Sequence, residues 1–114
     1  MRITTDFWAS AYLRRCNSAG VSAVLFRRGA LQAGAVLVRL DRLDGRVTLF
    51  GPAPNSEPDS LGERRFIRLH QSESINYGDA QERLQRQIAF DPDLWIIDIE
   101  DREGRHFLPL VEQL

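Results

Sequence analysis

The sequence contains no lysine, a single cysteine and no long apolar run. One cysteine, Cys16, excludes an intrachain disulfide and a zinc-binding cluster of thiolates. The residues after Met1 lack the apolar core of a signal peptide, and no stretch approaches the ~20 apolar residues that cross a bilayer. We therefore expect a protein of the reducing cytoplasm with no membrane segment.

All fifteen basic residues are arginines, and they are balanced by sixteen acidic residues, so the net charge is -1. This balance gives no general attraction for a polyanion and argues against a dedicated nucleic-acid-binding protein. Arginine does suit phosphate and carboxylate partners, so an arginine-lined phosphate or nucleotide site is one hypothesis if the arginines converge. The arginine pairs are Arg14-Arg15, Arg27-Arg28, Arg64-Arg65 with Arg68, and Arg102 with Arg105.

A length of 114 residues suits one domain, which we expect to cover residues 1–114. Two stretches have helical spacing of their apolar residues. The first helix is predicted to start at Asp6 and stop at Gly20, and the second to start at Asp79 and stop at Asp91-Pro92-Asp93. The apolar stripes are Trp8, Ala9, Tyr12, Leu13 and Cys16 in the first helix, and Ala80, Leu84, Gln87 and Ile88 in the second.

Six further stretches have the composition of β-strands, and the first of them, apolar or small on both faces, is predicted to be central. The predicted strands are Val21–Arg28, Ala35–Leu43, Arg46–Gly51, Arg64–Gln71, Leu94–Asp101 and His106–Val111. Pro52 to Glu63 is predicted to be a loop, and Gly29 and Gly34 are interpreted as turn glycines.

The order of these elements is helix, four strands, helix, two strands. Because the connections are mostly of hairpin length, this order predicts an α+β domain. We expect an antiparallel or mixed sheet of about five to six strands, with an N-terminal helix and a second helix before the penultimate strand.

Asp44-Gly45 marks a β-hairpin, since the favoured two-residue turn needs positive φ at both positions. A two-residue and a four-residue loop both remain open. Either loop places Leu37 and Phe50 together on one face of the sheet. Either also places on the other face the residues Val36, Val38, Leu40, Val47 and Leu49.

Acidic residues are concentrated near the end of the chain. Asp98 and Glu100 share one face of a predicted strand, ~7 Å apart, which is close enough to hold one divalent cation between them. If His70 or His106 lies beside them, the four residues outline a metal-assisted hydrolase. The alternative is a hydrated or arginine-paired surface, which is what most charge runs form.

The most specific phrase of the sequence is Phe90-Asp91-Pro92-Asp93-Leu94-Trp95, and it is accompanied by Thr5-Asp6-Phe7-Trp8, Leu43-Asp44-Gly45 and Phe50-Gly51-Pro52. With these phrases the chain resembles, from Thr5 to Leu108, the uncharacterised bacterial proteins called domain of unknown function 1491. The resemblance implies a free-standing protein. It implies no activity, cofactor or catalytic residue.

No nucleophile-elbow, phosphate-loop or zinc-protease motif occurs in the sequence. Apolar residues on both faces of the strands, namely Leu37, Phe50, Leu94 and Ile96, are more than two helices are expected to cover. The sequence therefore predicts a small noncatalytic binding domain without a cofactor, whose partner is another protein or its own copy. The metal-assisted hydrolase stands as the alternative function.

Overall fold

The computed structural model describes residues 3–54 and 63–111. This part of the chain forms two helices and five strands, in the order α1, β1–β4, α2, β5. The helices are α1 (Thr5–Ser18) and α2 (Tyr77–Phe90), and the strands are β1 (Ser22–Arg27), β2 (Val36–Asp41), β3 (Val47–Pro52), β4 (Phe66–Arg68) and β5 (Trp95–Glu100). The predicted α+β domain is confirmed, and α2 directly precedes the last strand.

Both helices begin earlier than predicted, because each has a different capping residue. The Thr4 hydroxyl accepts a hydrogen bond from the Phe7 amide, so Thr4 rather than Asp6 is the N-cap of α1. Asn76 rather than Asp79 caps α2, and its side-chain oxygen accepts from the Asp79 amide at 2.8 Å. The chain leaves α1 at Gly20, whose φ of 84° is the predicted left-handed stop.

The strand order is β1-β5-β2-β3-β4, with β5 parallel to β2 and all other neighbours antiparallel. The sheet is therefore mixed. The prediction that the first strand is central is wrong: β1 lies at an edge, because the last strand enters the sheet between β1 and β2. Two apolar side chains of β1, Val24 and Phe26, are consequently exposed.

The β2–β3 hairpin differs from both expected registers. Asp41 pairs with Val47, which leaves a five-residue connection, 42–46, in which Leu43 and Gly45 both have positive φ. Compared with a loop of even length, a loop of odd length turns the side chains of one strand to the opposite face of the sheet. Val47 and Leu49 therefore join Leu37, while Phe50 joins Val38, so the predicted grouping of these faces is wrong.

The two helices cover opposite faces of the sheet, so the core has two parts. On the α1 face, buried residues of the helix pack on alternate residues of the three central strands; they include Ala9, Tyr12, Cys16, Val36, Val38, Leu40, Phe50, Trp95, Ile97 and Ile99. On the α2 face the buried residues are Leu37, Val47, Leu49, Ala80, Leu84, Leu94 and Ile96. Leu37, Phe50, Leu94 and Ile96, which suggested an uncovered surface, are all inside these cores.

Both edges of the sheet are partly covered. Beside β4, the Phe66 amide donates to the Pro109 carbonyl, and the Val111 amide donates to the Phe66 carbonyl, both at 2.9 Å. The predicted strand His106–Val111 is thus reduced to a single bridge at Leu110. Strand β4 is also shorter than Arg64–Gln71, and most of the loop predicted over Pro52 to Glu63 lies outside the described residues.

Gly29 and Gly34 flank the turn at residues 31–33, and neither has a positive φ. Both make room for the Trp95 ring and the Asp93 carbonyl. A Cβ at Gly29 would lie 2.6 Å from the Trp95 ring, and a Cβ at Gly34 would lie 2.7 Å from it. The indole is fixed in this space because its N–H donates to the Ala30 carbonyl at 2.7 Å. Trp95 is therefore a buried core residue, as the sequence indicated.

Candidate functional site

Asp98 and Glu100 lie on the same face of β5, as predicted, and this is the α2 face. Asp98 is not available as a simple metal ligand, because Arg39 of β2 binds both of its oxygens. The Arg39 Nε donates to Oδ1 at 2.8 Å and its Nη2 donates to Oδ2 at 2.9 Å. This bidentate geometry is the strongest form of an arginine–carboxylate pair. Glu100 is exposed at the end of the strand.

His70 is held by backbone groups on both sides of its ring. Its Nε2 accepts a hydrogen bond from the Leu49 amide at 3.1 Å, and its Nδ1 lies 2.7 Å from the Ser72 carbonyl, to which it donates in this tautomer. Burial lowers the pKa of His70, so the ring is neutral near pH 7. Its contacts fix the segment that follows β4.

His106 lies on the opposite side of the sheet from Asp98. Its ring packs against Phe50, a residue of the α1-face core, with 4.8 Å between the ring centres. Nδ1 accepts from the Leu108 amide at 2.9 Å, and burial lowers the pKa of the ring. The structure therefore does not bring the four predicted residues to one point, and within residues 3–54 and 63–111 no three acidic, histidine or cysteine side chains form a metal-binding group.

Arg39 is the centre of a cluster that was not predicted from the sequence. It is only 3% exposed, and its guanidinium lies between the Phe26 and Tyr77 rings, 5.0 and 5.1 Å from their centres. Its Nη1 donates to the Gln81 side chain of α2 at 2.7 Å. Burial opposes the charge, but the hydrogen bonds and charge of Asp98 outweigh it and raise the pKa of Arg39.

Around this cluster the α2 face is uncovered, because the α2-face core contains buried residues of β2, β3 and β5 but none of β1. Three apolar side chains meet solvent there: Val24 is 58% exposed, Phe26 48% and Tyr77 53%. We call these three residues the β1 patch. Beside it lies a shallow pocket of about 220 Å³, whose lining includes Ser22, Val24, Tyr77 and the acidic residues Asp41 and Glu100.

The free edge of β1 is partly closed by a side chain of α1. The Asn17 amide nitrogen donates to the Ala23 carbonyl at 3.0 Å, and its oxygen accepts from the Ala23 amide at 3.1 Å. In an antiparallel pair, backbone groups point alternately to the partner strand and away from it, so those of Ala23 point to the open edge. Asn17 thus occupies the backbone groups of Ala23 that an added strand would use, which disfavours strand addition at this point.

The sequence carried a weak signal for the Arg39 cluster. Arg39 interrupts the apolar run Val36-Leu37-Val38-Arg39-Leu40, and a charged residue inside a buried strand requires a buried partner. The identity of that partner depended on β5 lying beside β2, which no local pattern indicated. Tyr77 was missed because the helix was expected to begin after it.

Comparison with known proteins identifies the family. The profile described as "Protein of unknown function (DUF1491)" matches residues 3–109. The crystal structure of a DUF1491 family protein from Caulobacter crescentus CB15 is similar at a TM-score of 0.78 and 36% identity, covering 98% of this chain and 100% of that one. An NMR structure of a DUF1491 family protein from the same organism gives 0.78 and 37%, covering 98% and 99%.

The solution structure of protein Atu0922 from A. tumefaciens is similar at a TM-score of 0.81 and 37% identity, covering 100% of this chain and 98% of that one. No curated protein matches the chain. In the described ranges, neither helix has the length and apolar character needed to cross a membrane. The match over nearly the whole sequence, together with the shared fold, shows that the chain belongs to the DUF1491 family.

Proposed function

We propose that this protein is a noncatalytic binding domain of the bacterial cytoplasm, and that the β1 patch is where it binds another protein. The observation that carries the proposal is the exposure of Phe26 and Tyr77 on either side of a buried, ion-paired Arg39. Aromatic residues and arginine are the residue types that dominate binding energy at protein interfaces. The single cysteine, Cys16, is buried and unpaired, which supports a reducing compartment.

The cluster lowers the entropic cost of binding at the patch. Both rings are already held against the Arg39 guanidinium, which in turn is fixed by Asp98 and Gln81. Side chains that are ordered before association lose less conformational freedom when the partner arrives. The patch therefore has the preorganised aromatic anchors of a binding surface.

Charge at the rim indicates the chemistry of the partner. Arg39 is neutralised by Asp98, whereas Asp41 and Glu100 lie at the pocket without a cation bound to either in the described residues. A second copy of the chain docked by the same face would place acidic rims against each other, since a two-fold interface uses the same patch twice. We therefore infer a partner of a different sequence, which presents an apolar side chain next to arginine or lysine.

A site-specific crosslink tests this proposal. A photoreactive residue at exposed Ser22, beside the patch, is expected to capture one protein from the native host, and the same group at exposed Gln85 of α2 is not. That protein is then purified, and its affinity is measured for the wild type and for Glu100→Lys. We expect Glu100→Lys to weaken binding, because a repulsive charge replaces an attractive one.

Three results would count against the proposal. Identical captures at Ser22 and Gln85 would show that the crosslinks are nonspecific, and unchanged affinity in Glu100→Lys would show that the acidic rim is not used. The third result would come from light scattering, by which we expect the protein to be a monomer at high concentration. A dimer that Phe26→Ala dissociates would show that the patch binds a second copy of the chain.

A further inference from the structure

The α1 face also has an uncovered region, at the opposite side of the sheet from the β1 patch. Helix α1 packs toward β1, and beyond it the ends of β2, β3 and β4 meet the segment after β5. A pocket of about 230 Å³ lies there, walled by Arg42, Arg46, Arg68 and His106. We call it the basic pocket. Only Arg68 belongs to the arginine pairs singled out in the sequence; folding brings the other two to it.

Arg42 has unused hydrogen-bonding capacity in this pocket. Its Nη2 donates to the Arg102 carbonyl at 3.2 Å, while its Nε is buried and has no hydrogen-bond partner among the described residues. The guanidinium lies against the backbone of Gly104, where a Cβ would be only 3.1 Å from its central carbon. The absence of a side chain at Gly104 therefore lets the Arg42 guanidinium pack against the backbone at the pocket wall, with its Nε unpaired.

Arg68 is fixed in position but not neutralised. Its Nε donates to the His70 carbonyl and its Nη2 to the Gln71 carbonyl, both at 2.9 Å, and no carboxylate in the described part of the chain pairs with it. Arg46 differs, since Asp44 binds it at 2.6 Å. Glu73 also lines the pocket, but among residues 3–54 and 63–111 no carboxylate forms a salt bridge with Arg42 or Arg68.

We propose that the basic pocket binds the phosphate group of a small phosphorylated molecule. Arg42 of the β2–β3 connection and Arg68 of β4 line the same pocket, and two guanidinium groups can match the oxygens of a phosphate with several charge-assisted hydrogen bonds. The pocket is smaller than the roughly 300 Å³ at which pockets enclose a drug-sized ligand. It therefore takes the phosphate group itself, and any attached sugar or base extends into solvent.

The proposal is tested by titrating the ¹⁵N-labelled protein at constant ionic strength with inorganic phosphate, AMP or adenosine. We expect saturable shifts of the Thr48 and Gly104 amide signals, which border the pocket, with phosphate and AMP but not with adenosine. Arg42→Gln and Arg68→Gln are each expected to weaken binding about tenfold, the effect of losing a hydrogen bond to a charged group. Arg86→Gln, at an exposed position of α2, is the matched control and should bind like the wild type.

Thermal unfolding of each variant establishes that it is folded before its affinity is compared. The proposal is overturned if millimolar phosphate causes no saturable shift, or if chloride at the same ionic strength causes the same shift. It is also overturned if adenosine binds as well as AMP, or if Arg86→Gln weakens binding as much as Arg42→Gln and Arg68→Gln. Because the basic pocket and the β1 patch lie on opposite faces, failure here leaves the proposed partner site unaffected.

Discussion

Replacing Asp98 with alanine leaves the buried guanidinium of Arg39 without its counter-ion. The Arg39 side chain is 4% exposed and the Asp98 side chain 23%, so the cation is the more deeply buried partner. Removing one member of a buried ion pair costs about 3–5 kcal/mol of unfolding free energy, and partial exposure of this pair favours the lower end. We expect Asp98→Ala to lower the unfolding free energy by about 3 kcal/mol, which corresponds to a decrease of roughly 12 °C in Tm for a chain of this length.

The converse change is predicted to be milder. In Arg39→Met the abandoned carboxylate of Asp98 can still reach water, and the methionine fills much of the space between Phe26 and Tyr77. The double variant Arg39→Met/Asp98→Ala should be more stable than Asp98→Ala alone, because it contains no unpaired buried charge. The unfolding free energies of all three variants are measured by urea denaturation, with circular dichroism as the signal. A smaller loss of unfolding free energy in Asp98→Ala than in Arg39→Met would contradict this account, as would a double variant that is the least stable of the three.

Three further predictions concern the framework around the site. Gly34→Ala should lower the unfolding free energy in urea by about 1–3 kcal/mol, because its Cβ would collide with the Asp93 carbonyl oxygen and the Trp95 ring. Gly78→Ala should not destabilise, because its Cβ would meet only the Asn76 side chain, at an ordinary contact distance of 3.4 Å, and equal effects would contradict the packing. The wild type should lose stability below about pH 6.5, because the unfolded chain takes up protons that buried His70 and His106 resist. His106→Gln should make this decline between pH 7 and 5 less steep, and identical slopes would exclude a contribution of His106. Asn17→Ala should lower the unfolding free energy by about 1–3 kcal/mol and increase aggregation, which light scattering detects. Unchanged aggregation would show that Asn17 does not protect the β1 edge.

Local signals in the sequence predicted the helices and several strands correctly. The correct predictions depend on neighbours within a few residues. They are the left-handed Gly20, the apolar spacing around Tyr12, and the alternation of Trp95, Ile97 and Ile99. Such patterns record directly which side chains are buried. The fold class followed from the order of the elements, and it is confirmed.

The hairpin shows where local signals were insufficient. Asp44-Gly45 correctly marked a turn, but the loop has five residues because Leu43 adopts a φ of 64° and the Asp41 carboxylate accepts from its amide at 2.7 Å. Positive φ is uncommon at leucine, so the sequence favoured even-length loops instead. One additional residue was enough to exchange the faces of β3.

The site was the least predictable part, since it depends on long-range pairing. The sequence placed Asp98 and Glu100 on one face, which is correct, but the insertion of β5 between β1 and β2 has no local signal. That insertion supplies Arg39 as the partner of Asp98 and leaves β1 at the edge. It therefore created the β1 patch. The residues that had suggested an exposed apolar surface, Leu37, Phe50, Leu94 and Ile96, are instead buried in the core.

The most direct measurement of the central claim is the dissociation constant of the crosslinked partner for two alanine variants. Phe26→Ala removes an anchor of the β1 patch. Phe90→Ala removes a more exposed phenylalanine, 89% accessible, at the far end of α2, about 20 Å along the helix from Tyr77. We predict that Phe26→Ala weakens binding about 30-fold, as expected for an interface hot spot, and that Phe90→Ala leaves it unchanged. Equal affinities for the two variants would contradict the assignment of this face as the binding surface.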